Sequence, residues 1–355
     1  MQQQQDKTLL VITLAGLGLI AGIFGLVTWL IDGPGPAGPV TQSRQSNSDS
    51  NTLATANNDE EVTLKGIENV PQGLFNYGGS TTWIPAHESV NGAIASAFPD
   101  FQLRYTLPSS GSAGSGKGIE MLLDGQLSFA ESSRSLRDSE YLAAKQRGFT
   151  LEQIPAAIDG IALAVHPNLD LPGLTVSQIQ AIYTGQVINW SELGGPDLPI
   201  SAYSRSPEEA GTAQYFLDSI MDTDTYGENV LFVGDTTTGL RQVLDNVGGI
   251  YFASAPEIVN QCSIYPIPVA AQEQPENFIT PFTAPWRTGR DCLEQENTVN
   301  KVAFRDGSYP LTRRLFVVVK AEGGSDEAAG RAYAKMLLSS EGQALIDQAG
   351  FISIR

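Results

Sequence analysis

Three stretches place small, hydroxyl- or glycine-rich residues between an expected strand and an expected helix: GGSTTWIP around Thr82, GSAGSGKGIEML around Ser115 and AGTAQYF around Thr212. The first turn of a helix leaves backbone N–H groups without intrahelical partners, and its dipole favours negative charge, so each stretch is suited to an anion. With Arg134 and Arg205 close by in sequence, the three together point to a receptor for one small oxyanion.

Other chemistries fit less well. GSAGSGK at residues 111–117 matches the first seven positions of a nucleotide-binding G-x-x-x-x-G-K loop, but Gly118 stands where a Ser or Thr would hold magnesium, and no acidic strand end follows to complete a metal site. Binding of an anion without hydrolysis is the expectation here, with Ser115 and neighbouring amides as donors. His87 and His166 are the only imidazoles, and no G-x-S-x-G elbow occurs, so neither a nucleophile–base pair nor an enzyme is expected. A solvated or capping role is expected for His87. Two cysteines with so few histidines make no zinc site, and neither a metal nor a cofactor is expected. The net charge of −18, with no basic stripe, argues against nucleic acid. Selective anion capture remains compatible with that charge, because hydroxyls, amide dipoles and one or two guanidinium groups act at short range in a closed cleft.

These loops need a scaffold. Expected strands alternate with expected helices: QLRYTL then GIEMLLDG, IALAVH then VSQIQAIYTG, ISAYS then TAQYFLDSIM, VLFVG then TTGLRQVLDNVG, and GIYFA then PEIV. The alternation predicts an α/β fold of parallel sheets with crossover helices, whose ligands bind beyond the carboxyl ends of the strands. From about residue 65 to 355 the chain is long enough for two such lobes.

Leu9 to Ile31 carries no ionisable side chain and exceeds the ~20 residues that cross a bilayer core as a helix, so residues 1–31 are expected to anchor the chain in the membrane. A cleaved signal peptide would have a shorter apolar region ending at a small-residue site. Lys7 precedes the span and no basic residue follows until Arg44, which orients the N-terminus to the cytoplasm and the body outside. Residues 32–64, rich in Gly, Pro, Ser, Asn and Thr, form an expected flexible tether. Cys262 and Cys292, an even count in an oxidising compartment, are expected to form a disulfide, the alternative being two unrelated buried thiols.

GGSTTWIPA, GSGKGIEMLLDGQLSFAESSRSL, GLTVSQIQAIYTGQVINWSELGG, SRSPEEAGTAQYF and SSEGQALIDQAGFISI, in this order, resemble the PstS-type phosphate-binding proteins of ABC phosphate importers. IPAHESV, AIDGIALAVHP and QLRYTLP are similar to the membrane-tethered SphX-like subgroup of cyanobacteria. The resemblance runs from about residue 70 onward, and IYTGQVINW is its most specific string. It implies a two-lobed periplasmic-binding-protein fold of type II with two crossovers, lobe I comprising residues 65–167 and 301–355 and lobe II residues 168–300. It further implies inorganic phosphate as the ligand and the permease of an ABC importer as the partner, with the body on the periplasmic side of the inner membrane. Carried over by position, Thr82, the amide of Trp83, Ser115, Gly211 and Thr212 bind the ligand, Arg205 supplies charge and Thr81 is a secondary candidate.

The chain departs from the family pattern twice. Ser133, followed by Arg134, stands where the family often has an aspartate, which accepts the proton of hydrogen phosphate and repels sulfate. Glu131, Glu208 and Glu209 are substitute acceptors, and another oxyanion such as sulfate, or a tethered phosphate sensor without transport, remains as an alternative. SRSPEEAGT gains a residue on the usual R-x-D-G-S-G-T, and Ala210 replaces a serine, leaving its N–H as the expected donor. The indole of Trp83 is expected over the cleft mouth, as a fluorescence reporter.

Overall fold

The computed structural model describes residues 63–354, apart from residues 222, 272, 273 and 275. The expected anchor and all of the expected tether except its last two residues lie outside the described residues. Among the described residues no helix is long and apolar enough to cross a membrane. Leu64, assigned to the tether by composition, belongs to the folded body: it is buried in the turn Leu64–Gly66 and joins the core of the first lobe.

In chain order the strands are β1 (Gly73–Gly79), β2 (Phe101–Tyr105), β3 (Phe129–Ser132), β4 (Thr150–Val165), β5 (Leu174–Thr175), β6 (Ser201–Arg205), β7 (Val230–Val233), β8 (Gly249–Ser254), β9 (Tyr265–Ile267), β10 (Val269–Ala270) and β11 (Thr312–Ala321). The helices that matter for the site are α1 (Ile84–Ala97), α2 (Ser115–Leu123), α3 (Asp138–Gln146), α4 (Val176–Tyr183), α5 (Gly211–Tyr215), α6 (Thr236–Asp245) and α7 (Ala255–Val259). Local chemistry sets several of their ends. Thr175 and Gln178 cap α4 reciprocally, and Gly185 ends that turn at φ +76°, a left-handed conformation that costs glycine little. Asp235 caps α6 by accepting from the Thr238 N–H at 2.7 Å.

The main sheet runs β2-β1-β3-β11-β4-β8-β6-β7, with β9 also on β4. The parallel pairing predicted from alternation holds within β2-β1-β3 and within β8-β6-β7. It fails for β4 and β11, which are antiparallel to each other and to β8 and β3 respectively. These two strands connect the lobes, one leading out and the other back, so they run in opposite directions.

Apolar burial divides accordingly. One pair of clusters gathers side chains such as Phe75, Tyr77, Phe129 and Leu315, and another gathers Ile161–Val165, Ile179, Trp190 and Phe252. The second cluster also takes Ala303, Phe304, Tyr309 and Leu311. The division therefore falls within β4 near Gly160 and just before β11, whereas the family pattern had set it at residues 167 and 300. Burying each large apolar side chain contributes about 1.5–3 kcal/mol, which favours two independently packed lobes over a thin continuous slab. Cys262 and Cys292 form the disulfide, with Cα atoms 5.6 Å apart, in the second lobe.

Candidate functional site

The three glycine- and hydroxyl-rich stretches meet at the seam between the lobes. Thr82, in the turn that opens α1, has its hydroxyl 3.3 Å from that of Thr212 in the first turn of α5. Ser115, the first residue of α2, has its Oγ 3.2 Å from Ser133 Oγ, and the Ser133 N–H donates to it at 3.0 Å. Ser115, Ser133 and Thr82 are almost wholly buried. Neither Gly114 nor Ala210 offers a side-chain acceptor at the start of α2 or α5, so the first-turn amides of both helices face the seam without a protein cap.

Glycine is required at two of these positions for space. Gly118 lies on the Cα of Gly79, within 3.0 Å of its backbone nitrogen for a built Cβ. The nucleotide-loop Ser or Thr is thus excluded by packing. A Cβ on Gly211 would lie 2.6 Å from Ser115 Cβ and 2.7 Å from Ser133 Oγ. Gly211→Ala is therefore expected to prop the lobes apart, weakening oxyanion binding by about 1–3 kcal/mol, roughly five- to 150-fold. Calorimetry measures the loss, and an unchanged melting temperature without ligand would assign it to closure.

Arg205, at the end of β6, reaches across the seam. Its Nη1 donates to Thr81 Oγ1 at 3.2 Å and its Nη2 to the Ala113 carbonyl at 2.8 Å, while its buried Nε has no partner. A second guanidinium at the site went unrecognised in the sequence. Arg313 of β11 donates from Nη2 to Thr82 Oγ1 at 3.1 Å, and from Nε and Nη2 to Asp159 Oδ2 at 3.0 and 2.8 Å. Its Nη1 is buried without a partner. Arg313 and Asp159 are direct cross-strand neighbours on β11 and β4. Burial pushes the Asp159 carboxyl up, opposed by Arg313, the Ser254 hydroxyl and the Ala255 N–H. With one lone pair occupied by Arg313, the Thr82 hydroxyl keeps its proton to donate.

Several expected contributors lie elsewhere. Arg134 is held by Glu140 through bonds of 2.6 and 3.0 Å and by the Ser135 carbonyl, because the turn into α3 places that carboxylate beside it. Trp83 is fully buried in the first lobe against Phe351, not over the cleft mouth, and its backbone N–H, the expected ligand donor, donates to the Ser80 carbonyl. The Ala210 N–H is likewise taken, by the Ser206 carbonyl at 2.9 Å. Glu131 points into the first lobe, accepting from Tyr333 Oη at 2.9 Å and pairing with His87 Nε2 at 2.8 Å. His87 is accordingly neither solvated nor a cap. Burial opposes its charge, but the charge and hydrogen bond of Glu131 raise its pKa. Glu208 is exposed, and Glu209 sits beside Gly111 on the outer loop.

Two carboxylates line the seam, Glu257 in α7 and Asp235 at the start of α6. Glu257 shares a small cavity of about 10 Å³ with Arg205, Thr81, Thr212 and Thr236. A wider opening of about 380 Å³, walled by Thr81, Arg205, Thr236 and Glu257 among others, lies beside it.

Two lobes that share two connecting strands and bring polar helix starts from both sides to one seam define a bilobal ligand-binding protein. The chain belongs to the PBP superfamily: the family model described as PBP superfamily domain matches residues 46–341. It is 28% identical over 280 residues to the phosphate-binding protein PstS of a Staphylococcus epidermidis strain, covering 78% of this chain and 77% of that one. It is 26% identical over 279 residues to PstS of Staphylococcus haemolyticus, covering 78% and 79%. Among solved structures, the fold is similar to that of a Clostridium perfringens protein described as a candidate phosphate ABC transporter substrate-binding protein with bound phosphate. That match has a TM-score of 0.63 and 24% identity, over 80% of this chain and all of the other. An ABC-type phosphate transport receptor from Vibrio cholerae matches with a TM-score of 0.56 and 21% identity, over 78% and 99%.

Proposed function

We propose that this chain binds inorganic phosphate between its lobes, outside the cytoplasm, and presents it to the permease of an ABC importer. The observation that carries the reading is the pair of buried, unpartnered guanidinium donors, Arg205 Nε and Arg313 Nη1, in side chains that also hold the hydroxyls of Thr81 and Thr82. Buried donors of this kind call for negative oxygens. Thr82, Thr212, Ser115 and Ser133 add hydroxyls from both sides of the seam, and the likeness to PstS proteins supports phosphate as the anion.

Binding by capture and closure fits this arrangement better than catalysis. The cavity of about 10 Å³ has room for roughly one water, so an oxyanion enters an opened seam and replaces the Thr82–Thr212 and Ser115–Ser133 contacts. Closure then desolvates it and gives the permease a shape specific to the loaded state. Residues 9–31 as a single-pass anchor and residues 32–62 as a tether complete the proposal, holding the body on the periplasmic side of the inner membrane.

Calorimetric titration with phosphate, sulfate and arsenate tests the ligand. One phosphate per chain is expected, and no heat with phosphate would sink the reading. Sulfate is the second reading, because Ser133 lacks the charge by which an aspartate repels it; tighter binding of sulfate than of phosphate would establish it. Phosphate uptake in cells lacking the chain separates transport from sensing.

A further inference from the structure

We propose that Glu257 is the proton-bearing group of this site, and that an oxyanion binds with one proton held between its own oxygens and the Glu257 carboxyl. The inference rests on the oxyanion reading above and adds a proton to it. Glu257 faces both the small cavity and the wider opening, alongside Arg205, Thr81 and Thr236 in each. An anion drawn to Arg205 therefore arrives beside this carboxyl.

The charged and titratable groups around Glu257 come from every element packed near it. They are Asp159 on β4, Arg313 on β11, Arg205 at the end of β6, Asp235 at the start of α6 and Tyr251 on β8. Burial and the neighbouring charge of Asp159 push the Glu257 carboxyl up to about 7, against the pull of Arg313, the Thr236 hydroxyl and Arg205. A dibasic oxyanion brought alongside adds further negative charge and raises it again. Below about pH 7 the carboxyl then already carries its proton when the anion enters. Above that, the carboxylate takes one proton from solvent as the anion binds. Only an O–H bond forms, and the acid hydrogen-bonds to an anion oxygen. Ionised, the same group would repel an anion without a proton and could engage hydrogen phosphate only by accepting the anion's own proton, with no net uptake from solvent.

The test is calorimetry with inorganic phosphate in two buffers of different ionisation enthalpy at about pH 8.5, where free phosphate is almost wholly dibasic. The wild-type chain is expected to take up close to one proton per phosphate, and its affinity to fall about tenfold from pH 8 to pH 9. Glu257→Gln, which cannot take up a proton, is expected to lose both the proton uptake at about pH 8.5 and the fall in affinity from pH 8 to pH 9. Infrared difference spectra of the wild type provide a measurement independent of the variant's folding: phosphate at about pH 8.5 should produce a protonated-carboxyl band. Phosphate binding without proton uptake or without that band, or uptake persisting in folded Glu257→Gln, overturns the role of Glu257 and leaves the oxyanion reading intact. A wild-type chain that binds no phosphate at any pH overturns both.

Discussion

Arg205→Ala is expected to weaken phosphate binding by about 2–5 kcal/mol, roughly 30- to 5,000-fold, the usual range for truncating one member of a desolvated, hydrogen-bonded charge pair. The expectation follows from where the guanidinium ends. Arg205 leaves β6 in the second lobe and makes both of its hydrogen bonds, to Thr81 and Ala113, in the first, keeping Nε for another acceptor. Its loss removes a ligand donor and a bond across the seam together. Arg205→Lys should recover part of the affinity, because an ammonium supplies the charge without the planar fork. Calorimetry at fixed pH and salt decides the matter; a change below about threefold in Arg205→Ala would remove this residue from the site.

The largest loss of stability is expected at Asp159. Asp159→Ala leaves the Arg313 guanidinium fully buried with no carboxylate at bonding distance, which costs about 3–5 kcal/mol, whereas replacing both members of a buried pair by apolar residues is often neutral. Equilibrium denaturation should therefore show a steep fall for Asp159→Ala and recovery in Asp159→Leu combined with Arg313→Met. The double variant should nevertheless bind phosphate poorly, since it lacks the donor beside Thr82. If it regained stability and affinity together, Arg313 would be a structural partner of Asp159 and no part of the anion site.

The helix starts were legible because backbone amides and small hydroxyl residues are chemistry that the local sequence states openly. GGSTTWIP, GSAGSGKG and AGTAQYF each carry it within a few residues, and three such stretches converge. Arg313 was not legible in the same way. It lies 154 residues from Asp159, and nothing in LTRRLFVVVK shows which arginine of the pair turns inward. The available signal was Asp159 itself: an aspartate between apolar residues of a long strand, in AAIDGIALAV, needs a cation opposite it. Glu257 was hidden in the short helix PEIV, whose packing on β4 and β8 is a tertiary fact. Trp83 was misjudged from its place in a loop, where the burial gained by a large indole beneath α1 outweighs display at the surface.

The two guanidinium groups belong to different halves of the molecule. Arg313 sits on β11 with Thr82 in the first lobe, and Arg205 is carried by β6 of the second. Closing the seam therefore brings one guanidinium from each half to the neighbouring hydroxyls of Thr81 and Thr82, and only Arg313 has a carboxylate at bonding distance. An anion held by one half alone would meet a single guanidinium, so the full grip belongs to the closed form and binding is coupled to closure.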